Sequence, residues 1–392
     1  WLAVSGMVML SLVLAACAPA APTPTPTTQT TPTTPTTPTA PVQETPQKET
    51  VKPVAEAPKY GGTLTRTANS DPTAWGPFPG AGNTPITMQE LWAGDWSKGP
   101  AGGYGTGETD WAHNADRFDR KVGLIAENTK WTFDIAKDES TIVYQIRRGI
   151  RYALNPNSEA SRLVNGRELT ADDVVFVMKQ RIADPDSYVY RTNPEVRTAN
   201  ITKTGPWEVT VKLPAAALMS GLNRLNSTSG YYPPEVFQKY NKMAGWKDQV
   251  GTAAFMLTEY VPGSLITYTK NPNYWEKDPV GPGKGNQLPY LDRQQILIIP
   301  DASTRQAALR TGKVDNLGGF SSTDADPIRK QVPALLMLER TSVDGRGTPV
   351  FPRIDQPPFS DVRVRRAMMM GIDYKKLLQD YRGGKGQMVT YP

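Results

Sequence analysis

Residues 207–213 alternate strictly, with Trp207, Val209, Val211 and Leu213 on one side and Glu208, Thr210 and Lys212 on the other. That period of two predicts a strand with one face in a core and one in water, stopped at Pro214. Thr141-Ile-Val-Tyr-Gln-Ile-Arg147 repeats the pattern with Ile142, Tyr144 and Ile146 inward. The period then changes. After an Asn165-Gly166 turn, Val174, Met178 and Ile182 recur every four residues behind Thr170 as N-cap and Asp173 as its capping-box partner, which predicts an amphipathic helix. Asp172 and Asp173 are thereby charges at a helix start, where the backbone dipole favours acids, rather than a pair of catalytic carboxyls.

Further along, residues 264–270 form a strand after the Val261-Pro262-Gly263 turn, and Asn271-Pro-Asn-Tyr-Trp275 closes it. Gln295-Ile-Leu-Ile-Ile299 is continuously apolar, the pattern of a strand buried on both faces. Residues 301–310 follow as a helix stopped by Gly312, and Val314-Asp315 begins the next extended piece, so the three make a βαβ unit. At the front, Gly61-Gly-Thr-Leu-Thr65 starts the folded body as a short strand and Asn69-Ser-Asp-Pro72 turns it. At the far end, residues 358–367 read as a helix capped by Ser360 with Val364, Ala367 and Met368 on its inner stripe. A second helix over residues 373–381 ends at Gly383-Gly384.

Residues 75–111 break this order. Trp75, Trp92, Trp96, Tyr104 and Trp111 sit among closely spaced glycines, which describes large rings on irregular loops. Two readings stay open, a recognition surface or rings folded into the core. Gly103-Tyr-Gly-Thr-Gly107 is not a nucleotide loop, since no apolar strand leads into it, and Gly283-Lys-Gly285 lacks the Ser or Thr of a phosphate-binding loop.

The first 16 residues are apolar except for Ser5, Gly6 and Ser11. They fall short of the roughly 20 needed to span a bilayer, and they end in small residues before a cysteine, as a secretory signal does. Leu14-Ala-Ala-Cys17 resembles the lipobox of bacterial lipoproteins, in which the cysteine carries the lipid. Cys17 is the one cysteine of the chain, so an exported body has no disulfide to rely on and requires a large core. Residues 18–41 contain only Ala, Pro and Thr besides Gln29, and the character persists to residue 58. Such a segment has nothing to bury and extends at about 3.1 Å per residue, a tether that holds a body on the order of 100 Å from a surface.

Net charge is +6, but Lys and Arg are scattered among acids without the run that marks a nucleic-acid patch. Arg147-Arg148 with Arg151, and Arg363 with Arg365-Arg366, are the densest groups and read as solvated faces. His113 is the single histidine, which argues against nucleophilic triads and most metal sites; a glycosidase needs only two carboxylates and stays open. No internal repeat of the kind expected of an adhesion array is present.

Seven stretches in order carry a resemblance. They are Gly61-Gly-Thr-Leu64, Tyr144-Gln-Ile-Arg-Arg-Gly-Ile-Arg-Tyr152, Asn165-Gly-Arg-Glu-Leu-Thr-Ala-Asp-Asp-Val-Val-Phe176 and Lys270-Asn-Pro-Asn-Tyr-Trp275. Leu288-Pro-Tyr-Leu-Asp292 with residues 296–301, Gln306-Ala-Ala-Leu-Arg-Thr-Gly-Lys-Val-Asp315, and Pro358-Phe-Ser-Asp-Val-Arg-Val-Arg-Arg-Ala367 before Gly371-Ile-Asp373 complete the set. Together they resemble the family 5 extracellular solute-binding proteins of ABC transporters, the oligopeptide- and dipeptide-binding proteins. Residues 155–164 depart from that pattern as an insertion, and Gly251-Thr-Ala-Ala-Phe255 departs from its Gly-Thr-Gly-Pro turn.

The resemblance implies an α/β, two-lobed periplasmic-binding-protein-like fold of the class II type, with an extra subdomain in the first lobe and an incomplete second lobe. The corresponding divisions are a signal peptide with lipobox at 1–17, a tether at 18–58, a first lobe at 59–298 with its subdomain at about 105–204, and the start of the second lobe at 299–392. It further implies a monomeric, non-enzymatic receptor without cofactor or metal, lipid-anchored outside the cell. The receptor takes a peptide, or alternatively an oligosaccharide, and passes it to ABC permease subunits. Trp75, Phe78, Trp92 and Tyr231 are the expected cleft walls, chosen for their places in loops after strands or just before Pro233-Pro234. Residues 295–301 are expected beside the connection between lobes.

Overall fold

The computed structural model describes residues 57–78, 84–95, 118, 121–226, 230–319, 322–337 and 352–384, all within one unit, Val54–Pro392. The Cys17 lipobox, nearly all of the tether, the Gly103–Gly107 loop and His113 lie outside them.

Two four-stranded sheets organise the described residues. The strands in chain order are β1 (Thr63–Ala68), β2 (Trp92–Gly94), β3 (Lys121–Gly123), β4 (Ala126–Asp134), β5 (Glu139–Ile146), β6 (Asn200–Gly205), β7 (Glu208–Leu213), β8 (Phe255–Val261), β9 (Leu265–Lys270) and β10 (Arg293–Ile298). One sheet, in the order β4-β5-β7-β6, is antiparallel throughout, and the expected alternation is present: Ile142, Tyr144 and Ile146 on β5 and Val209, Val211 and Leu213 on β7 are all buried. It runs through Leu213.

The helix Ala171–Ala183 lies across β6 and β7 and buries Val174, Val177 and Met178. Its capping box forms as expected, with the Asp173 carboxylate accepting from the Thr170 amide at 2.8 Å. Asn165 before it is left-handed at φ 52, a conformation that asparagine tolerates better than most residues. The expected insertion contains a helix of its own, Glu159–Val164, capped by Ser158, whose hydroxyl also donates to the Lys247 carbonyl at 2.9 Å. The core formed here is continuous from Phe78 to Val250 and includes Trp92, Tyr144, Tyr152, Tyr231 and Phe237.

The other sheet has the order β1-β10-β9-β8. β1 and β10 are parallel, with Arg66 opposite Ile296 and Ala68 opposite Ile298, and β10 to β8 are antiparallel. Gly251, at the start of the departing Gly-Thr-Ala-Ala turn, sits so close to the chain that an added Cβ would lie 2.0 Å from the Thr87 carbonyl oxygen. After β10 the helix Ala302–Arg310 begins at Asp301, whose side chain accepts from the Thr304 amide, and Asn316 then bridges Arg66 in parallel. The βαβ unit is therefore present, its return stretch joining β1 rather than β10.

Two expectations require correction. β10 is central in its sheet, yet four of its six residues are half-buried and only Ile298 is buried, because the apolar face above it is open along part of its length. At the far end the helix is Val362–Met370, and its cap is Asp361, which accepts from the Arg363 amide at 2.8 Å, not Ser360. None of its nine residues is buried: Val364 is half-buried and Ala367 and Met368 are exposed.

Candidate functional site

The parallel pair places the carboxyl ends of β1 and β10 side by side, and the chain leaves them in different directions. β1 passes into the 69–72 turn, β10 into the Asp301 cap and the helix beyond it. Diverging connections at the carboxyl ends of parallel strands leave a crevice, and ligands of open α/β sheets bind in such crevices. Here it measures about 480 Å³, with Ile266 and Ile296 among its apolar lining and Arg66, Asp71 and Asn316 as polar neighbours. A second hollow of about 400 Å³ lies at the amino ends of the same strands, but Lys270 and Asp292 there already pair with each other at 2.6 Å.

Arg66 is the residue out of place. Leu64, Arg66 and Ala68 share one face of β1, and register puts that face level with Ile296 and Ile298 of β10 and Ile266 of β9. A cation therefore stands among apolar positions. Its Nε is shut off from solvent without a hydrogen-bond partner, and no carboxylate pairs with it among the described residues. The nearest acids have other work: the Asp71 carboxylate accepts from the Gly263 amide at 3.0 and 2.9 Å, and Asp315 Oδ2 accepts from the Thr65 amide at 2.7 Å. On the same face, burial pushes the Tyr268 phenol well up, while the positive charge of Arg66 acts against that rise. An apolar floor with one cation, one carboxylate, one amide and main-chain groups suits holding a ligand that is partly apolar and partly charged. Among the described residues no group of three His, Cys, Asp or Glu could hold a metal ion, and no helix is long and apolar enough to cross a membrane.

The four expected rings do not converge on this groove. Phe78, Trp92 and Tyr231 belong to the large core, exposed by 9%, 1% and 0%. Phe78 stands edge-on to Phe237 at 5.7 Å. Trp92 stands edge-on to Phe118 at 5.3 Å, and Asn226 fixes its backbone by accepting from its amide at 2.9 Å and donating to its carbonyl at 3.2 Å. Tyr231 donates to the Leu225 carbonyl at 2.5 Å under the guanidinium of Arg181, 4.6 Å from its ring centre. Arg181 is itself fully buried and donates to the Leu225 and Gly230 carbonyls, tying the end of the helix Leu218–Asn226 to the chain that returns at Gly230. Trp75 alone is half-buried; it packs against the smaller core on the face of the sheet that also bears the groove, edge-on to Tyr260 at 4.8 Å. Sequence reading passed over Arg66, Asp71 and Asn316. The available signal was the alternation Leu64, Arg66, Ala68, which sets a cation in line with apolar positions.

This fold matches that of AppA, the oligopeptide-binding protein from Bacillus subtilis solved in complex with a nonapeptide, with a TM-score of 0.55 and 19% identity over 85% of this chain and 58% of that one. It is therefore the fold of the solute-binding proteins. Among curated relatives, di/tripeptide-binding protein 2 of Pseudomonas aeruginosa is 25% identical over 276 residues, 67% of this chain and 48% of its own length. Heme-binding protein A of Haemophilus influenzae is 22% identical over 276 residues, 67% of this chain and 47% of its own. The chain spans about half the length of the curated relatives it matches. Residues 122–392 match the bacterial extracellular solute-binding proteins, family 5 Middle, and the chain belongs to that family.

Proposed function

We propose that this protein is the capturing component of an ABC importer, an extracytoplasmic receptor moored by a lipid on Cys17 that holds a peptide-like ligand and releases it unchanged to the permease. The observation that carries the reading is the open groove where β1 and β10 end, in a fold that in AppA was solved around a nonapeptide. Residues 59–298 supply the first lobe, with an added subdomain at about 105–204, and residues 299–392 contribute to the second. Residues 295–301, the end of β10 and the stretch after it, run in or beside the connection between the lobes.

Closing two lobes over a ligand stabilises the closed state only by as much as the ligand prefers it. A micromolar ligand supplies about 8 kcal/mol, enough to hold the closed form and still permit release. Trp75 would meet the ligand from the sheet side, whereas Phe78, Trp92 and Tyr231 would stiffen the wall from behind by packing. Two measurements test the proposal: mass spectrometry of whatever small molecule co-purifies with the intact protein, and thermal stabilisation by a panel of peptides. A peptide recovered intact after it has raised the melting temperature supports capture without turnover. Hydrolysis at ordinary enzymatic rates overturns it.

A further inference from the structure

We propose that Arg66 is the anchor for a carboxylate of the bound ligand, which rests on the binding reading above and adds the chemical group that the groove selects. An arginine drawn partly out of water calls for an anion or main-chain carbonyls around it, because the lost hydration is restored only by charged or polar partners, and Arg66 is half-buried with its Nε covered. Among the described residues two other arginines keep that rule. Arg167 has Asp173 and Glu235, each at 2.7 Å, and the fully buried Arg181 has main-chain carbonyls around it.

Arg66 has neither arrangement among the described residues. It stands in register with Ile296 and Ile266, its Nε is desolvated and unpartnered, and the groove opens beside it. Asp71 on the same wall is held by the Gly263 amide, so the neighbouring acid stays with the turn instead of swinging onto the guanidinium. The planar fork of an arginine matches a carboxylate in two parallel hydrogen bonds, so the group that this cation suits is a planar, two-oxygen acceptor. Ile266 and the half-buried Ile296 beside it offer apolar contact to whatever chain bears the carboxylate. For a peptide-like ligand the group is its C-terminus or an acidic side chain.

Two arms test this on the intact protein. In the first, the melting temperature and affinity of the wild type, Arg66→Gln and Arg66→Lys are measured with a tripeptide panel, each peptide as free acid and as C-terminal amide. The free acid is expected to bind the wild type at least tenfold more tightly than the amide, with the difference erased in Arg66→Gln. Equal binding of acid and amide by the wild type, unchanged by Arg66→Gln, overturns the anchor while leaving peptide capture standing. The second arm needs neither a peptide nor a folded variant. The Nε–H resonance of Arg66 in the wild type is followed as glutarate, or glutaramide at matched ionic strength, is added. A saturable shift with glutarate alone supports the anchor even where no peptide binds, an outcome that would retire the peptide reading but not this one. No shift beyond the ionic-strength control overturns it.

Discussion

The two four-stranded sheets are built from similar residues to opposite ends. In β4-β5-β7-β6 every inward position of β5 and β7 is buried beneath helices, and the core continues unbroken from strand to helix. In β1-β10-β9-β8 the corresponding face carries only a small cluster around Ile266, Tyr268 and Ile298, and it stops short of Arg66. One sheet is closed on its own chain and the other leaves apolar surface and a cation open to something else. The difference teaches that the face bearing the groove is the part of this fold where packing is left unfinished.

Removing a methyl-rich side chain from each sheet is the most direct way to break that contrast. Ile142→Ala, at a fully buried position of β5, is expected to cost about 3 kcal/mol through lost burial and the cavity left behind. Ile296→Ala, at a half-buried position of β10, is expected to cost about 1 kcal/mol, since water already reaches the site. Urea denaturation with a common m-value reads both. Equal losses would mean that the two faces are packed alike and that the groove is not open in solution.

Ion pairs sharpen the comparison one step lower. Arg167 bridges Asp173, whose side chain is 4% exposed, to Glu235 at 30%, and its guanidinium lies 5.0 Å from the Tyr152 ring. Arg167→Ala strands a buried carboxylate, and a loss of about 2 kcal/mol is expected after allowance for the partial exposure of the arginine. Arg363→Ala breaks a pair of similar length on the exposed helix Val362–Met370, where no measurable change in denaturation midpoint is expected. If the two substitutions behave alike, the Arg167 bridge contributes nothing beyond a surface pair.

The same bridge gives a pH dependence. Partial burial works to raise the Glu235 carboxyl, but the hydrogen bonds and charge of Arg167 outweigh it and hold the group below its usual range. A folded-state value below the unfolded one adds stability that is complete above the ordinary glutamate range, about pH 4.3, and is lost as pH falls through the folded value. Glu235→Gln is therefore expected to flatten the acid limb of the stability curve below about pH 4 and leave its slope near neutrality unchanged. An acid limb identical to that of the wild type would show that Glu235 is not held down in the folded state.

Legibility in the sequence followed the range of the interaction. β5, β7, β9 and the helix Ala171–Ala183 were readable because periods of two and four, a capping box and an Asn-Gly turn are written within a few residues. The Trp92 site was not. What buries that ring's backbone is Asn226, 134 residues away, so its loop position gave no hint of its fate. The groove depends on pairing of equal remoteness, since Thr65 and Asp315, which join β1 to the stretch after the crossover helix, are separated by 250 residues. The helix Val362–Met370 failed in the other direction: an amphipathic pattern states which face wants burial, but not that a described element covers it.

Asp71 offers the smallest and most local test. Its carboxylate accepts twice from the Gly263 amide, at 3.0 and 2.9 Å, and so ties the turn after β1 to the hairpin turn between β8 and β9, where Gly263 adopts φ +70. Losing a hydrogen bond to a charged acceptor at this largely solvated site is expected to cost about 1 kcal/mol in Asp71→Ala. Global stability alone would hardly distinguish that from any surface change, whereas amide exchange at Gly263 would, because the donor itself is the reporter. Faster exchange at Gly263 with the β4 to β7 amides unchanged would place the loss in the open sheet only. Protection at Gly263 equal to that of the wild type would mean that the turn is held by the hairpin itself, and that this wall of the groove does not need its acid.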